Sequence, residues 1–420
     1  MRLIKGASIY LTSNILNAVI PFLLLPILTR YLTQAEYGQI AMFQTLLTGL
    51  ATFVGLNAVG AATRKYFDED KTDQIIKEFN GTCVQICIVS SIVLGAITFA
   101  FRHQLSELLS IPYSWILNTV LVSAFGFISG LRLGQWQARN QAKHFGAFQI
   151  SQSLLNMVLS LILVIALVEG AQGRIDAQLI TGIIFSAIAL TLLYKDGLIK
   201  LFCWRPQYIK EILAFGVPLI PHHLGFFLMG TFDRVLINDK LGLEAAAVYM
   251  VAFQLSTCLY IIYDAINKAY TPWLFGVLKR NNEKEKIKVV KVTYAHFALS
   301  SLVAGLAFLI GELIITFILG EDYRQAGQII GWFCLGQAFG GMYLMVTNYA
   351  FYAKQTKYLS SITISCGVVN IILIFVFIEH LGLSGAVMAF ALSKFIQFIA
   401  TWVIANKCHK MPWGLRWKKI

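Results

Sequence analysis

Three charged residues lie inside long apolar stretches of the sequence, where an ionised group is costly. Lys394 lies near the middle of the last stretch, Glu312 in the ninth, and Asp264 towards the end of the eighth. A charge deep in a membrane costs roughly 3 kcal/mol or more, so it normally faces a water-filled cavity or a partner. We therefore expect Lys394 to bind an anion and either carboxylate to bind a proton or Na⁺. The alternative is a buried ion pair of a carboxylate with Lys394 or Lys268.

A second set of charges lies at equivalent ends of the first and seventh stretches. Arg30 ends the first stretch, and Asp233 with Arg234 lies towards the end of the seventh. Neighbouring residues on a helix do not face each other, so Asp233 is not expected to neutralise Arg234. We expect both arginines to face a cavity, with anchoring at the membrane surface as the alternative. Asp233 is a third candidate for binding a proton or Na⁺.

The same two stretches contain prolines, Pro21 and Pro26 in the first and Pro218 and Pro221 in the seventh. A proline inside a helix removes a backbone hydrogen bond and leaves a carbonyl without its usual partner. Broken helices at corresponding places in two halves of a membrane protein indicate a binding site and a gating function. Asn57, in the second stretch, is one of several buried amides that suit a sugar-binding cavity. Packing between helices is the alternative function of such amides.

The elements that must position these side chains are apolar segments of membrane-spanning length. The chain has 420 residues, of which 57% are hydrophobic and only 13% charged. Soluble domains carry about 25% charged residues, and a spanning helix needs about 20 apolar residues. We predict an all-α polytopic membrane protein of about twelve transmembrane helices. The predicted runs are Ile9–Thr29, Ile40–Ala62, Cys83–Phe101, Trp115–Leu133, Phe148–Val168, Leu179–Tyr194, Ile212–Ile237, Ala246–Ile266, Val292–Leu319, Ile329–Tyr352, Leu359–Ile378 and Leu383–Ala405.

The net charge of +13 is concentrated in alternate connecting loops. Positive loops remain in the cytoplasm, so the pattern predicts a multi-pass protein of the bacterial inner membrane with both termini cytoplasmic. It favours contacts with lipid headgroups over nucleic-acid binding. The longest predicted loop, Asn267–Lys291, is charged and amphipathic. The opposite, outer set of loops holds few cations: Arg30, Arg102, Arg174, Arg234, Lys240 and Arg324.

Weak internal similarity indicates two halves. A GxxxG spacing at Gly126 in the fourth run recurs at Gly336 in the tenth. Two six-helix halves that begin on the same side of the membrane are parallel repeats, and they would enclose a central cavity. The predicted organisation is an N-terminal lobe at 1–195, a cytoplasmic linker at 196–211 and a C-terminal lobe at 212–420.

Motifs of membrane-associated enzymes do not occur in this sequence. It has no P-loop, GxSxG or HExxH motif, and its seven cysteines lack zinc or disulfide spacing. We therefore expect no catalytic residues, no cofactor and no metal.

Four segments resemble those of a known family. They resemble the polysaccharide flippases, which are the O-antigen-unit (Wzx-type) transporters of the multidrug/oligosaccharidyl-lipid/polysaccharide exporter superfamily. The segments are Leu28–Gln44 (LTRYLTQAEYGQIAMFQ), Phe232–Tyr249 (FDRVLINDKLGLEAAAVY), Ala138–Lys143 (ARNQAK) and Tyr352–Tyr358 (YAKQTKY).

The resemblance implies a function and a set of partners. The substrate would be an undecaprenyl-pyrophosphate-linked oligosaccharide, moved from the cytoplasmic to the periplasmic leaflet by alternating access. H⁺ or Na⁺ would supply the energy through one of the three carboxylates named above. Arg30, Arg234 and Lys394 would bind the pyrophosphate, and Asn57 would bind the sugar. Membrane lipids, a polysaccharide polymerase and a chain-length regulator are the other implied partners.

Three other functions remain as alternatives. A small-molecule or drug-cation antiporter of the same superfamily would rely on an acidic cavity, and the deep cation Lys394 argues against it. A membrane-embedded polysaccharide polymerase would carry a large outer loop or an acidic motif, and neither is found. A lipid II-type flippase would have helices beyond the twelve for which this chain has length.

Overall fold

The protein was analysed as a computed structural model that describes residues 2–69, 72–353 and 355–414. These residues form helices joined by short connections, with no strand among them. Residue 1 and residues 415–420 lie outside the described residues. The α-helices are α1 (Arg2–Tyr31), α2 (Gln34–Ala51), α3 (Ala58–Lys65), α4 (Asp73–Ala100), α5 (Arg102–Leu109), α6 (Tyr113–Ala138), α7 (Ala142–Leu161), α8 (Gly170–Lys195), α9 (Pro206–Gly216), α10 (Ile220–Gly230), α11 (Asp233–Leu241), α12 (Leu243–Arg280), α13 (Glu283–Leu319), α14 (Arg324–Tyr352) and α15 (Thr356–Cys408).

Many of the helices are long and apolar enough to cross a membrane. Nine helical segments of the described chain are long and apolar enough to cross a membrane, and a bent pair containing α2 and α3 makes a tenth. α15 has 53 residues and is interrupted at Gly382, whose φ is 57°. At 1.5 Å per residue such a helix is about 80 Å long, which is enough for two spans of a core about 30 Å thick. The predicted all-α polytopic fold is confirmed.

The second predicted run is bent rather than straight. α2 ends at Ala51, a 3₁₀ turn covers Val54–Asn57, and α3 follows at an angle of 52°. Gly55, Leu56 and Asn57 all have positive φ values, of 71°, 46° and 59°. No proline marks this bend, so the proline pattern used to find broken helices could not predict it.

The prolines have different local effects in the two predicted broken segments. α1 is one helix that contains both Pro21 and Pro26. In the seventh run, Pro218 lies in a 3₁₀ turn at Val217–Leu219, and Pro221 lies in the first turn of α10. A proline is tolerated there because the first backbone N–H groups of a helix have no intrahelical acceptor. The proposed gating function of the four prolines stays a prediction.

The predicted loop Asn267–Lys291 is mostly helical, which corrects the sequence interpretation. α12 continues to Arg280, and α13 begins at Glu283 after a left-handed Asn281. Nothing between Asn267 and Arg280 breaks the helix except Pro272, which α12 accommodates. Charged helices therefore continue beyond the apolar parts of both spans.

The chain forms two compact units, residues 1–224 and 225–420. The boundary falls inside α10, and the prediction of two lobes with a linker at 196–211 stays a prediction. In the first unit this predicted linker packs against α4. Lys200 N–H donates to the Lys77 carbonyl at 3.0 Å, and Asn80 Nδ2 donates to the Leu198 carbonyl at 2.8 Å.

In the second unit, α14 is the central helix, and it packs against α12, α13 and α15. Its glycines permit this close packing, because a Cβ at Gly336 would clash with the ring of Phe390 and one at Gly341 with Tyr263. Small residues have this function in membrane helices. The corresponding Gly126 of the first unit has nothing within 4 Å of such a Cβ. The two GxxxG motifs thus differ in their contacts.

Candidate functional site

A buried polar cluster in the second unit is centred on Asp233. This residue begins α11, and its side chain is 1% exposed. The Tyr249 hydroxyl of α12 donates to Asp233 Oδ2 at 2.5 Å, and the Asn370 side chain of α15 lies beside the same carboxylate. Oδ1 of Asp233 has no hydrogen-bond partner among the described residues. The buried carboxylate is thus hydrogen-bonded through Oδ2, and the charge of Arg234 also attracts it.

Lys394 belongs to this cluster. It follows Ser393, whose hydroxyl donates to Asn370 Oδ1 at 3.1 Å across the break in α15 at Gly382. Lys394 is close enough to Asp233 for electrostatic attraction, although the two do not form a direct ion pair. Its Nζ lies 5.7 Å from the centroid of the Phe390 ring. Among the three candidate carboxylates, Asp233 is therefore the one whose charge acts on Lys394.

Arg234 lies against aromatic rings, and its charge also acts on the neighbouring Asp233. Its side chain is 6% exposed, and its guanidinium carbon lies 5.2 Å from the centroid of Phe253. Phe253 in turn packs edge-on against Phe333 and Phe390. The same aromatic group therefore lies next to both cations, Arg234 and Lys394.

The other two candidate carboxylates each pair with a cation outside this cluster. Asp264 is joined to Lys268 on the same helix at 2.6 Å, and both side chains are partly exposed. Glu312 is joined to Arg324 at 2.6 Å, and both are again partly exposed. Asp264 pairs within α12, Glu312 of α13 pairs with the first residue of α14, and neither carboxylate belongs to the Asp233 cluster.

Arg30 and Asn57 belong to the first unit. Arg30 is exposed in the last turn of α1, and Asn57 is half-buried at the bend between α2 and α3. The bend is held on two sides. Gly55 N–H donates to Ser90 Oγ of α4 at 2.8 Å, and α9 approaches so closely that a Cβ at Gly216 would clash with the Leu56 carbonyl.

An apolar groove lies beside this bend. Its volume is about 370 Å³, and Phe53, Leu56, Val89, Trp204 and Ile209 are among its lining residues. Such a surface suits a hydrocarbon chain, since apolar contact contributes about 0.8 kcal/mol per buried CH₂ group.

Sequence reasoning missed a polar cavity within the first unit. The cavity has a volume of about 310 Å³, and Arg174, Gln152 and Asn156 contribute to its lining. Arg174 was expected in an outer loop, but it lies in the second turn of α8. The available signal was the spacing of Gln149, Gln152 and Asn156, which places amides on one face of α7 at intervals of three and four residues.

Comparisons with known proteins identify the family. Residues 3–278 match the family described as "Polysaccharide biosynthesis protein". The chain belongs to this family. A protein of Haemophilus influenzae, "Lsg locus putative protein 1", is 25% identical over 412 residues, which cover 96% of this chain and 98% of that protein. The "Putative O-antigen transporter" of Shigella dysenteriae is 22% identical, with coverage of 89% and 92%. The resemblance recognised from the sequence is thus confirmed.

Solved structures share the fold. A multidrug resistance MATE family transporter of the MOP superfamily, in an inward-facing conformation, superimposes with a TM-score of 0.75 at 14% identity, over 93% of this chain and 94% of that one. The lipid II flippase MurJ, in an inward closed conformation, gives a TM-score of 0.72 at 15% identity, over 93% and 87%. At these identities the likeness concerns the fold alone. The family member is a multi-pass membrane protein with a transporter fold.

Proposed function

We propose that this protein is a flippase for a lipid-linked oligosaccharide. The substrate would be an undecaprenyl-pyrophosphate-linked repeat unit of a surface polysaccharide, moved from the cytoplasmic to the periplasmic leaflet by alternating access. The observation that carries the proposal is membership of the polysaccharide biosynthesis family by a chain that buries Asp233 and Arg234 in its second unit and places Arg174 on a polar cavity in its first unit. The apolar groove beside the bend offers a surface for the prenyl chain.

Among the three candidate carboxylates, we propose Asp233 as the one that takes up a coupling ion. It is buried and has an oxygen without a hydrogen-bond partner among the described residues, whereas Asp264 and Glu312 each have a cation within 2.6 Å. Either H⁺ or Na⁺ would fit this function. A coupling carboxylate must change its charge or its partners between the two states.

The position of Asp233 restricts the function of Lys394. In an antiport cycle, uptake of the ion must weaken substrate binding. Protonation of Asp233 would instead leave Lys394 without its counter-charge and strengthen its attraction for an anion. If Asp233 carries the coupling proton, a cation outside the cluster must bind the diphosphate, and Arg30 is the candidate.

The decisive experiment is deletion of the gene in its native host. We expect complete undecaprenyl-pyrophosphate-linked units to accumulate on the cytoplasmic side, detected by mass spectrometry with an impermeant sugar-modifying reagent. Restoration by the intact gene is the control. Unpolymerised units on the periplasmic side would indicate a polymerase, and an unchanged lipid pool would favour the small-molecule antiporter.

A further inference from the structure

Arg174 is held by neutral groups alone. Its Nη1 donates to Asn156 Oδ1 at 2.6 Å and to Ser160 Oγ at 2.7 Å. No carboxylate of the described chain forms an ion pair with it, whereas Arg132 and Arg324 both have one. Arg174 is half-buried and borders a polar cavity. Its guanidinium is therefore placed to bind an anion from outside the protein.

The local backbone shows how Arg174 is held in this position. A π-helical turn at Ile162–Ala166 follows α7 and begins two residues after Ser160, and such turns are frequent at functional sites. α8 passes close to this turn, because a Cβ at Gly173 would lie 2.9 Å from the carbonyl carbon of Leu163. The close approach places the Arg174 side chain against Asn156 and Ser160.

The cavity around Arg174 has the chemistry of a sugar site. Gln44, Gln152 and Gln178 supply amides, and Thr181 supplies a hydroxyl. That hydroxyl has no hydrogen-bond partner among the described residues, and Thr181 is 3% exposed. The volume of about 310 Å³ is at the lower end of the range for small-molecule pockets, about 300–1,000 Å³, which suits a single sugar residue.

We propose that this cavity binds an acidic sugar residue of the oligosaccharide, with the sugar carboxylate on Arg174 and its hydroxyls on the surrounding amides and Thr181. The inference rests on the proposed function and specifies its substrate class. A guanidinium pairs with a carboxylate through two parallel hydrogen bonds. A phosphoryl group of the carrier shares this anionic chemistry. The lining favours the sugar, because Arg174 is the one cation among its described residues and the rest are neutral.

The test measures ligand binding to the purified full-length protein in detergent by titration calorimetry. The probes are glucuronate, glucose and inorganic pyrophosphate. We expect glucuronate to bind and the other two to bind at least about tenfold more weakly. R174Q removes the charged hydrogen bonds and should weaken glucuronate binding by about 10- to 100-fold. T181V removes one hydroxyl at constant shape and should weaken it by about 2- to 10-fold.

R102Q is the matched control, since Arg102 is another arginine of the first unit that donates to the Phe99 carbonyl outside the cavity. Glucuronate should bind this variant as it binds the wild type. Equal binding of glucuronate by wild type, R174Q and T181V would overturn the proposal. If pyrophosphate binds more tightly than glucuronate and R174Q abolishes that binding, the cavity binds the carrier diphosphate. If glucose binds as tightly as glucuronate, the site recognises a neutral sugar. Either result overturns the proposal. If R174Q does not fold, the glucuronate affinity of T181V relative to the wild type tests the proposal.

The two proposals can fail separately. If glucuronate binding depends on Arg174 but the lipid pool of the deletion strain is unchanged, the acidic-sugar site is supported and the flippase function is rejected. Trapped lipid-linked units, together with no glucuronate binding by the wild type, would reject the acidic-sugar site and retain the flippase.

Discussion

At the scale of single residues, function depends on which buried charges have a counter-charge. Asp233 is attracted to Lys394, Glu312 forms a partly exposed pair with Arg324, and Arg174 has neutral partners. In a low-dielectric interior the same side chain is stable when compensated and costly when alone. The three cases therefore predict different responses to the removal of one charge.

A double substitution separates the two functions considered for Lys394. D233N or K394Q alone should lower the free energy of unfolding by about 0.5–3 kcal/mol, because each removes one partner of the attraction between the two side chains. D233N/K394Q should recover most of that loss, measured by thermal unfolding in detergent. D264N is the control, and its partly exposed pair with Lys268 should contribute no more than about 0.5 kcal/mol. An additive double variant would show that Lys394 and Asp233 act independently.

At the scale of elements, the bend between α2 and α3 is the least regular part of the first unit. The bend has three consecutive positive φ values. The hydrogen bond from Gly55 to Ser90 and the contact of Gly216 with Leu56 hold it in place. A non-glycine residue in the left-handed region costs about 1 kcal/mol or more. Tertiary contacts with α4 and α9 must compensate for that strain.

A glycine pair tests this packing. G216A should destabilise the protein by about 1–3 kcal/mol, because its Cβ would clash with the Leu56 carbonyl and force the backbone to shift. G95A is the matched control, since a Cβ at Gly95 in α4 has nothing within 4 Å and alanine favours a helix by about 0.5–1 kcal/mol. Thermal unfolding of both purified variants measures the difference. Equal melting temperatures would contradict the close contact of α9 with the bend.

At the scale of the whole molecule, the orientation in the membrane is a prediction from charge. Lys and Arg are concentrated in alternate connections, and positive loops remain in the cytoplasm. The long charged ends of α12 and α13 belong to the positive set, which predicts that they extend into the cytoplasm.

Reporter fusions test this orientation. A fluorescent protein fused after the last residue should fluoresce, and alkaline phosphatase fused there should be inactive, because the C-terminus is predicted to be cytoplasmic. Fusions of both reporters in the connection between α7 and α8 should give the opposite pattern. An active phosphatase at the C-terminus would reverse the assignment.

The candidate residues show how far sequence reasoning extends. The sequence indicates Lys394 as a charge within an apolar run and Asp233 as a candidate for binding an ion. The structure places both in one cluster. The sequence offers Lys268 as an alternative partner for a carboxylate, and the structure shows this pair with Asp264. The pairing of Glu312 with Arg324 and the cavity position of Arg174 were not predicted. Arg174 was misplaced because it lies only a few residues from the end of an apolar run, where a pattern of hydropathy cannot distinguish a loop from the first turns of a helix.

The sequence by itself determined that the chain crosses a membrane many times as helices, since each span requires about 20 apolar residues, and that is a local property. It also contained the family resemblance. Only the tertiary structure decided which charges are compensated, because Asp233 meets Tyr249 and Asn370 from other helices, and Arg174 meets Asn156 in the same way. Such contacts depend on how helices pack, and the composition of a single helix does not specify them.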